Sequence, residues 1–233
     1  MDTASALPLP VAHRGAHGPE RAENSPAALQ HALDLGARAV EFDVHQLGDG
    51  ALVAWHDDDV RTPDGRRRRA HELTLADVAL PRVEELLDLV RGSDVFVVFD
   101  WKSVGAEPRI VRLLREHGLA ERTLVSSVYP AALAAVGSER PRLETGLSFP
   151  ADAYGGMPDL LETMALLLDD AGASAAMVDH RLVAPGLLAP LQDRGLDLFL
   201  WTASDISQYR AMSEFGPRGV MTDAIEELLA AQK

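Results

Sequence analysis

The stretch Val95-Phe96-Val97-Val98-Phe99-Asp100-Trp101-Lys102 is apolar almost without a break until it ends on a carboxylate and an ammonium. A half-exposed strand alternates apolar and polar residues, whereas an unbroken run fits a strand buried on both faces, as in parallel sheets covered by helices. Working outward, comparable short runs occur at Leu9 to Arg14, Ala39 to Val44, Thr123 to Val128, Glu144 to Phe149, Ala175 to Asp179, Asp197 to Trp201 and Gly219 to Met221. Segments of helical period separate them. Asn24 is read as the cap of a helix that runs to about Leu35 and stops at Gly36, and others start near Pro81, Glu107, Pro130 and Asp159. A further short strand, Ala51 to His56, follows the turn Gly48-Asp49-Gly50 and is counted as an excursion of the second unit. Eight strand–helix units predict a (β/α)₈ TIM barrel, one domain over residues 1–233, with a reduced insertion after the second unit. The stretch Asp57 to His71, with Arg66-Arg67-Arg68-Arg69, reads as an irregular, solvated basic loop, and its place beside His56 keeps substrate steering open as an alternative.

Composition narrows the chemistry. With no cysteine among 233 residues, disulfides, thiolate metal sites and cysteine nucleophiles are excluded, so any metal must be held by oxygen or imidazole. The formal net charge of -14 argues against a nucleic-acid partner and would repel a small anion at long range. A site that handles phosphate therefore needs its own local cations. Met1 to Pro10 lacks the basic start and apolar core of a signal peptide, and no apolar stretch is long enough to span a membrane. A cytoplasmic protein is expected.

Several strand ends carry residues that folding does not need. In a strand, Glu41 and Asp43 point the same way and Phe42 and Val44 the other. Two carboxylates facing an apolar barrel repel each other and lose hydration, a cost that a hard divalent ion removes, Mg²⁺ or Ca²⁺ rather than zinc. The alternative is that one carboxylate faces out and pairs with an arginine. Asp100 and Lys102 repeat the spacing, either as a structural ion pair or as a third ligand beside a phosphate-neutralising cation. His13 and His56 each end an apolar run, where barrel enzymes keep catalytic groups, and two imidazoles flanking a phosphate can act as general acid and base. Arg14 offers a planar fork for phosphate oxygens.

These residues also carry a resemblance. His13-Arg14-Gly15 followed by Glu23-Asn24-Ser25 resembles the HRG…PENT signature of glycerophosphodiester phosphodiesterases, and Glu41-Phe42-Asp43-Val44 with Asp49-Gly50 and His56-Asp57 resembles the E-x-D-V…DG…HD block that follows it. Leu80 to Leu87, Asp100-Trp101-Lys102, Trp201-Thr202 and Met221-Thr222-Asp223 continue the match in order. The resemblance implies hydrolysis of a small glycerophosphodiester to glycerol 3-phosphate and an alcohol, dependent on Mg²⁺ or Ca²⁺, or on Mn²⁺. It implies that Glu41, Asp43 and Asp100 hold the ion with Glu23 close by, that His13 and His56 are the acid–base pair, and that Arg14 and Lys102 bind phosphate. Trp201 would line the glycerol side or simply pack the barrel. In such enzymes the glycerol 2-hydroxyl attacks phosphorus, expels the alcohol, and water opens the cyclic phosphate.

The chain departs from the pattern in places. Asp100 stands where the family has Glu, Ala22 and Ser25 replace Pro and Thr, and most of the segment that the family inserts over the site is missing between Leu75 and Pro81. Two other readings stand beside this one. A sphingomyelinase D-like phospholipase barrel would share the histidines and acids. A catalytically silent barrel would bind a phosphorylated ligand, but Glu41, Asp43, His13 and His56 are all present. His17, His31, His45, His71, His117 and His180 read as surface or structural residues.

Overall fold

Strands that are apolar on both faces can leave neither in water, and in the computed structural model they close into a barrel. The structure describes residues 7–139, 142–184 and 186–231; the leader-free reading of the first ten residues falls partly outside them. In chain order the elements are β1 (Leu9–Ala12), α1 (Pro26–Asp34), β2 (Ala39–Gln46), β3 (Leu52–Ala54), β4 (Asp59–Arg61), β5 (Arg67–Arg69), α2 (Val83–Val90), β6 (Phe96–Trp101), α3 (Glu107–Glu116), β7 (Thr123–Ser127) and α4 (Pro130–Ser138). The second half runs β8 (Glu144–Phe149), α5 (Ala151–Tyr154), α6 (Leu160–Ala171), β9 (Ala175–Asp179), α7 (Leu188–Asp193), β10 (Asp197–Ala203), α8 (Ile206–Ser213), β11 (Gly219–Thr222) and α9 (Ile225–Ala230).

Parallel pairing runs β1–β2–β6–β7–β8–β9–β10–β11 and returns from β11 to β1, which is the predicted (β/α)₈ closure. β3 is the expected excursion, antiparallel to the end of β2 through Val44↔Ala54, His45↔Val53 and Gln46↔Leu52. Two layers of apolar packing follow from strand alternation. Val40, Phe42, Val97 and Phe99 face outward against helix residues such as Leu29, Leu86 and Ile110. Val11, Ala39, Val98, Leu124, Met177, Phe199 and Met221 fill the interior as a separate cluster. No β8 side chain is in that interior cluster. A Cβ on Gly146 would stand 2.7 Å from the Met177 sulfur, so β8 gives its space to β9.

Two expectations need correction. The helix cap is Ser25, whose Oγ accepts from the Ala28 amide at 3.1 Å with Pro26 at the first helical position. Asn24 is instead turned toward the barrel. The basic segment is not irregular either: β4 and β5 pair antiparallel, Asp59↔Arg69 through Arg61↔Arg67. Arg69 lies 3.0 Å from Asp58 and 3.3 Å from Asp59, and Arg67 lies 3.7 Å from Asp57. The run of like charge is thus balanced by the aspartates across the hairpin. Among the described residues no helix is long and apolar enough to cross a membrane.

Candidate active site

The interior parity that places Val98 and Met221 inside the barrel continues to the strand ends, where the residues turn polar. On β2 it carries Ala39, then Glu41 and Asp43; on β6 Phe96 and Val98, then Asp100 and, just past the strand, Lys102. Strand register sets Asp43 opposite Asp100 and Asp100 opposite Ser126. The ends of eight strands therefore meet around one cavity of about 210 Å³. Its walls include His13, Arg14, His56, Ser126, Trp201 and Met221 beside the acids. A larger hollow of about 470 Å³ adjoins it across Lys102, between His45, Arg69 and Tyr129. That hollow holds none of the three carboxylates, which all line the smaller cavity.

Glu41, Asp43 and Asp100 each bring a carboxylate oxygen within 4.8 Å of the others. Glu41 and Asp43 are buried, 3% and 2% exposed. Lys102 Nζ lies 3.0 Å from Asp43 and also contacts Asp100, which accepts from Ser126 Oγ at 2.7 Å. Burial alone would raise the Asp43 carboxyl, but Lys102 and Arg14 override it and hold it well below the usual carboxylate range. Glu41 goes the other way. Burial, then Asp43 and Asp100, push its carboxyl well above that range, against the Arg14 amide and Lys102. Two cations thus leave one of three converging acids uncompensated. This all-oxygen donor set fits a hard divalent ion, which would remove the remaining repulsion.

The loop after β1 is shaped to serve these acids. Gly15 has φ +79°, and a Cβ there would meet the Ala28 backbone at 2.7 Å. Arg14 and Asn24, with φ 55° and 54°, take the same left-handed backbone without being glycine, at about 1–3 kcal/mol each. The observed bonds offset that cost. The Arg14 amide donates to Glu41 at 2.8 Å, and the Asn24 amide donates to the Arg14 carbonyl at 3.1 Å. Asn24 Nδ2 donates to Asp43 Oδ2 at 2.8 Å while its Oδ1 accepts from the Asp43 amide at 3.0 Å. A residue first read as a helix cap is therefore what orients a buried acid.

Arg14 spans the acids: its Nη1 donates to Glu23 at 2.9 Å, and its Nε, 3.1 Å from Asp43 Oδ2, is buried without a well-aligned hydrogen bond. Glu23 stands apart from the three-acid group, joined to it through Arg14. Both cations expected at a phosphate line the cavity, already engaged with carboxylates.

The histidines show one arrangement twice. His13 Nδ1 lies 2.7 Å from Asp223 Oδ1, and its Nε2 is 4.0 Å from Glu41. His56 Nδ1 lies 2.8 Å from Asp57 Oδ1. A carboxylate on Nδ1 fixes the N–H there and leaves the Nε2 lone pair available. Asp57 and Asp223 belong to the matching motifs, but the sequence assigned them no role; the separation of 210 positions between His13 and Asp223 hides the second contact. Of the histidines read as structural, His45 is buried and lies 3.2 Å from the His56 carbonyl, and burial lowers its titration. His17, however, shares Asp223 at 3.2 Å, and that hydrogen bond raises its titration. Trp201 packs against the interior cluster and also lines the cavity.

The glycerophosphoryl diester phosphodiesterase family model matches residues 13–88 and 96–227. The glycerophosphodiester phosphodiesterase of Caldanaerobacter subterraneus subsp. tengcongensis is 27% identical over 244 residues, covering 95% of this chain and 96% of that protein. A human lysophospholipase D is 22% identical, covering 91% and 82%. Among solved structures, an Oleispira antarctica phosphodiesterase in complex with sn-glycerol-3-phosphate superposes with a TM-score of 0.79 at 22% identity, covering 97% of each chain. A glycerophosphodiester phosphodiesterase from Parabacteroides distasonis gives 0.76 at 21%, covering 97% and 98%.

Proposed function

Since this chain belongs to the glycerophosphoryl diester phosphodiesterase family and is a phosphoric diester hydrolase, we propose that it cleaves glycerophosphodiesters to glycerol 3-phosphate and an alcohol, with a divalent metal and two histidines. The observation that carries this reading is the cavity itself. Three carboxylates converge there beside two imidazoles, each with its Nδ1 on a carboxylate. The name of the Caldanaerobacter relative supports the substrate class.

Glu41, Asp43 and Asp100 would hold the ion, while Glu23 keeps Arg14 in place. Bound there, Mg²⁺, Ca²⁺ or Mn²⁺ supplies positive charge to the phosphoryl oxygens and so stabilises charge that builds up in the transition state. The chain's own groups do the rest. One histidine Nε2 takes the proton of the glycerol 2-hydroxyl as its oxygen bonds to phosphorus. The other gives a proton to the alcohol as the P–O bond breaks. The roles then reverse as water opens the cyclic phosphate, so that each imidazole ends as it began. Arg14 and Lys102, both on the cavity wall, would bind the phosphate oxygens. Trp201 forms the apolar wall for the glycerol carbons. The adjoining hollow beyond Lys102 has the room for the departing alcohol. Residues 1–233 would act as one domain.

The test is a panel of glycerophosphocholine, glycerophosphoethanolamine and glycerophosphoglycerol, with lysophosphatidylcholine as a fourth arm. Glycerol 3-phosphate should appear from at least one of the first three. No release from any of them would remove the reading; turnover of the lysophospholipid alone would move it to a lysophospholipase D.

Asp100 allows a sharper check. Aspartate holds its carboxylate one methylene nearer the strand than glutamate, yet here it still joins the three-acid group. Asp100→Glu is therefore expected to keep activity and tighten the metal requirement, and Asp100→Asn to weaken metal affinity strongly. Activity titrated against metal concentration decides it. An unchanged half-saturation point in Asp100→Asn would reduce Asp100 to a partner of Lys102 and Ser126.

A further inference from the structure

Among the described residues two groups of His, Asp and Glu side chains converge closely enough to hold a cation, and they differ in chemistry. Glu41, Asp43 and Asp100 offer only carboxylate oxygens. His13, His17 and Asp223 offer two imidazoles and one carboxylate, with donor atoms again within 4.8 Å of one another. We propose that this second group is an inhibitory site for a borderline ion such as Zn²⁺, which shuts the hydrolase off by taking His13 out of acid–base work. The inference rests on the reading of His13 as an acid–base residue.

Strand pairing frames the site. His13 and His17 lie just past β1 and Asp223 just past β11, and these two strands pair directly. The His13 amide donates to the Thr222 carbonyl at 3.2 Å, and the Asp223 amide to the Ala203 carbonyl at 2.9 Å. One oxygen, Asp223 Oδ1, sits 2.7 Å from His13 Nδ1 and 3.2 Å from His17 Nε2. Around a tetrahedral zinc ion, N and O donors stand about 3.3 Å apart. The His17–Asp223 contact already has that spacing, and the two imidazole donors lie within 4.8 Å of each other. The His13–Asp223 contact would open by about 0.6 Å once the proton held between Nδ1 and Oδ1 has left. The three side chains are 16%, 25% and 35% exposed, so an ion arriving at the barrel mouth can reach them.

Donor type sorts the ions. Imidazole nitrogens suit zinc and its neighbours, and three carboxylates suit magnesium or calcium. His17 has no part in the proposed reaction, and its recorded side-chain partner is Asp223. The consequence for His13 follows from proton counting. In the working tautomer Nδ1 carries the proton, bonded to Asp223, and Nε2 presents its lone pair toward Glu41. A zinc–Nδ1 bond displaces that proton, and the neutral ring then carries its one proton on Nε2. The base that faced the substrate is gone, and a metal-bound neutral imidazole is too weak an acid to replace the imidazolium.

The test titrates Zn²⁺ into Mg²⁺-loaded protein during diester turnover, with His17→Ala and His17→Gln beside the unaltered chain. Glutamine keeps a donor toward Asp223 but ligates zinc poorly. Without zinc both variants should keep kcat within about threefold, and both should need at least about tenfold more zinc for half-inhibition. Tenfold more Mg²⁺ should leave the half-inhibition point of the unaltered chain in place. A readout that needs no substrate is Co²⁺ alone, whose visible absorption on the protein should be lost in both variants; it tests the site even if the diester reading fails. Equal zinc sensitivity in all three proteins, or half-inhibition that rises in step with Mg²⁺, would put zinc on Glu41, Asp43 and Asp100 and overturn the proposal. A cobalt spectrum unchanged in the variants would do the same.

Discussion

His13→Ala should lower kcat on a good glycerophosphodiester by about 10²-fold or more, and His56→Ala should do likewise, the usual worth of a positioned acid or base. A hundredfold loss corresponds to about 2.7 kcal/mol of transition-state stabilisation. Each ring has its Nδ1 held by a carboxylate, Asp223 for His13 and Asp57 for His56, so alanine removes an oriented Nε2 that solvent cannot replace at the same place. Neither ring belongs to the apolar core, and His56 is 40% exposed, so thermal unfolding should shift little. KM should also change less than kcat, because Arg14 and Lys102, proposed to bind the phosphate, and the acids proposed to hold the ion remain. Initial rates of glycerol 3-phosphate release together with a melting curve separate these effects. A variant that kept near-native kcat would return that histidine to a structural role.

The parts of the fold legible in the sequence are those that burial alone determines. Val95 to Trp101 needs both faces covered, and β6 spans Phe96–Trp101 within one residue of that reading. The acids Glu41, Asp43 and Asp100 were legible for the same reason: charge at the inward parity of a buried strand has no role in folding. What could not be read depends on backbone turns and on contacts far apart in sequence. Asn24 looks like a cap because Asn is a good one, but with a left-handed φ of 54° its side-chain amide bonds Asp43 while Ser25 takes the cap. The β4–β5 hairpin was hidden because Arg67–Arg69 has no apolar face; its charges are matched by Asp57, Asp58 and Asp59 across the turn. Asp57 and Asp223 stand in recognisable motifs, but their link to the histidines depends on side-chain geometry. The resemblance places Glu23 close to an ion, but its hydrogen bond from Arg14 depends on side-chain geometry that the sequence does not show.

Asp43→Asn should have the second large effect, loss of nearly all turnover at ordinary metal concentrations. Asp43 is the acid most tied to its neighbours: Lys102 at 3.0 Å, Arg14 at 3.1 Å and Asn24 by two hydrogen bonds. The amide can still accept from Asn24, and Lys102 keeps Asp100, so the fold should survive with a loss of about 1–3 kcal/mol. The metal would lose an anionic ligand, and Arg14 would swing toward Glu23. Calorimetric titration should find metal binding weakened by at least about tenfold. Removing Asp43 should also bring the Glu41 carboxyl back toward its ordinary range, because Asp43 is second only to burial in raising it. Retention of both metal affinity and kcat in a folded Asp43→Asn protein would show that the acids pair with cations and do nothing more.

The most direct measurement is the rate of glycerol 3-phosphate release by the purified protein, before chelation, after exhaustive chelation, and after Mg²⁺, Ca²⁺ or Mn²⁺ is returned. Three converging carboxylates with two cations among them, of the described residues, call for an ion, so activity should vanish with chelator and return with at least one of these metals. Undiminished turnover in the fully chelated protein would contradict the account at its centre.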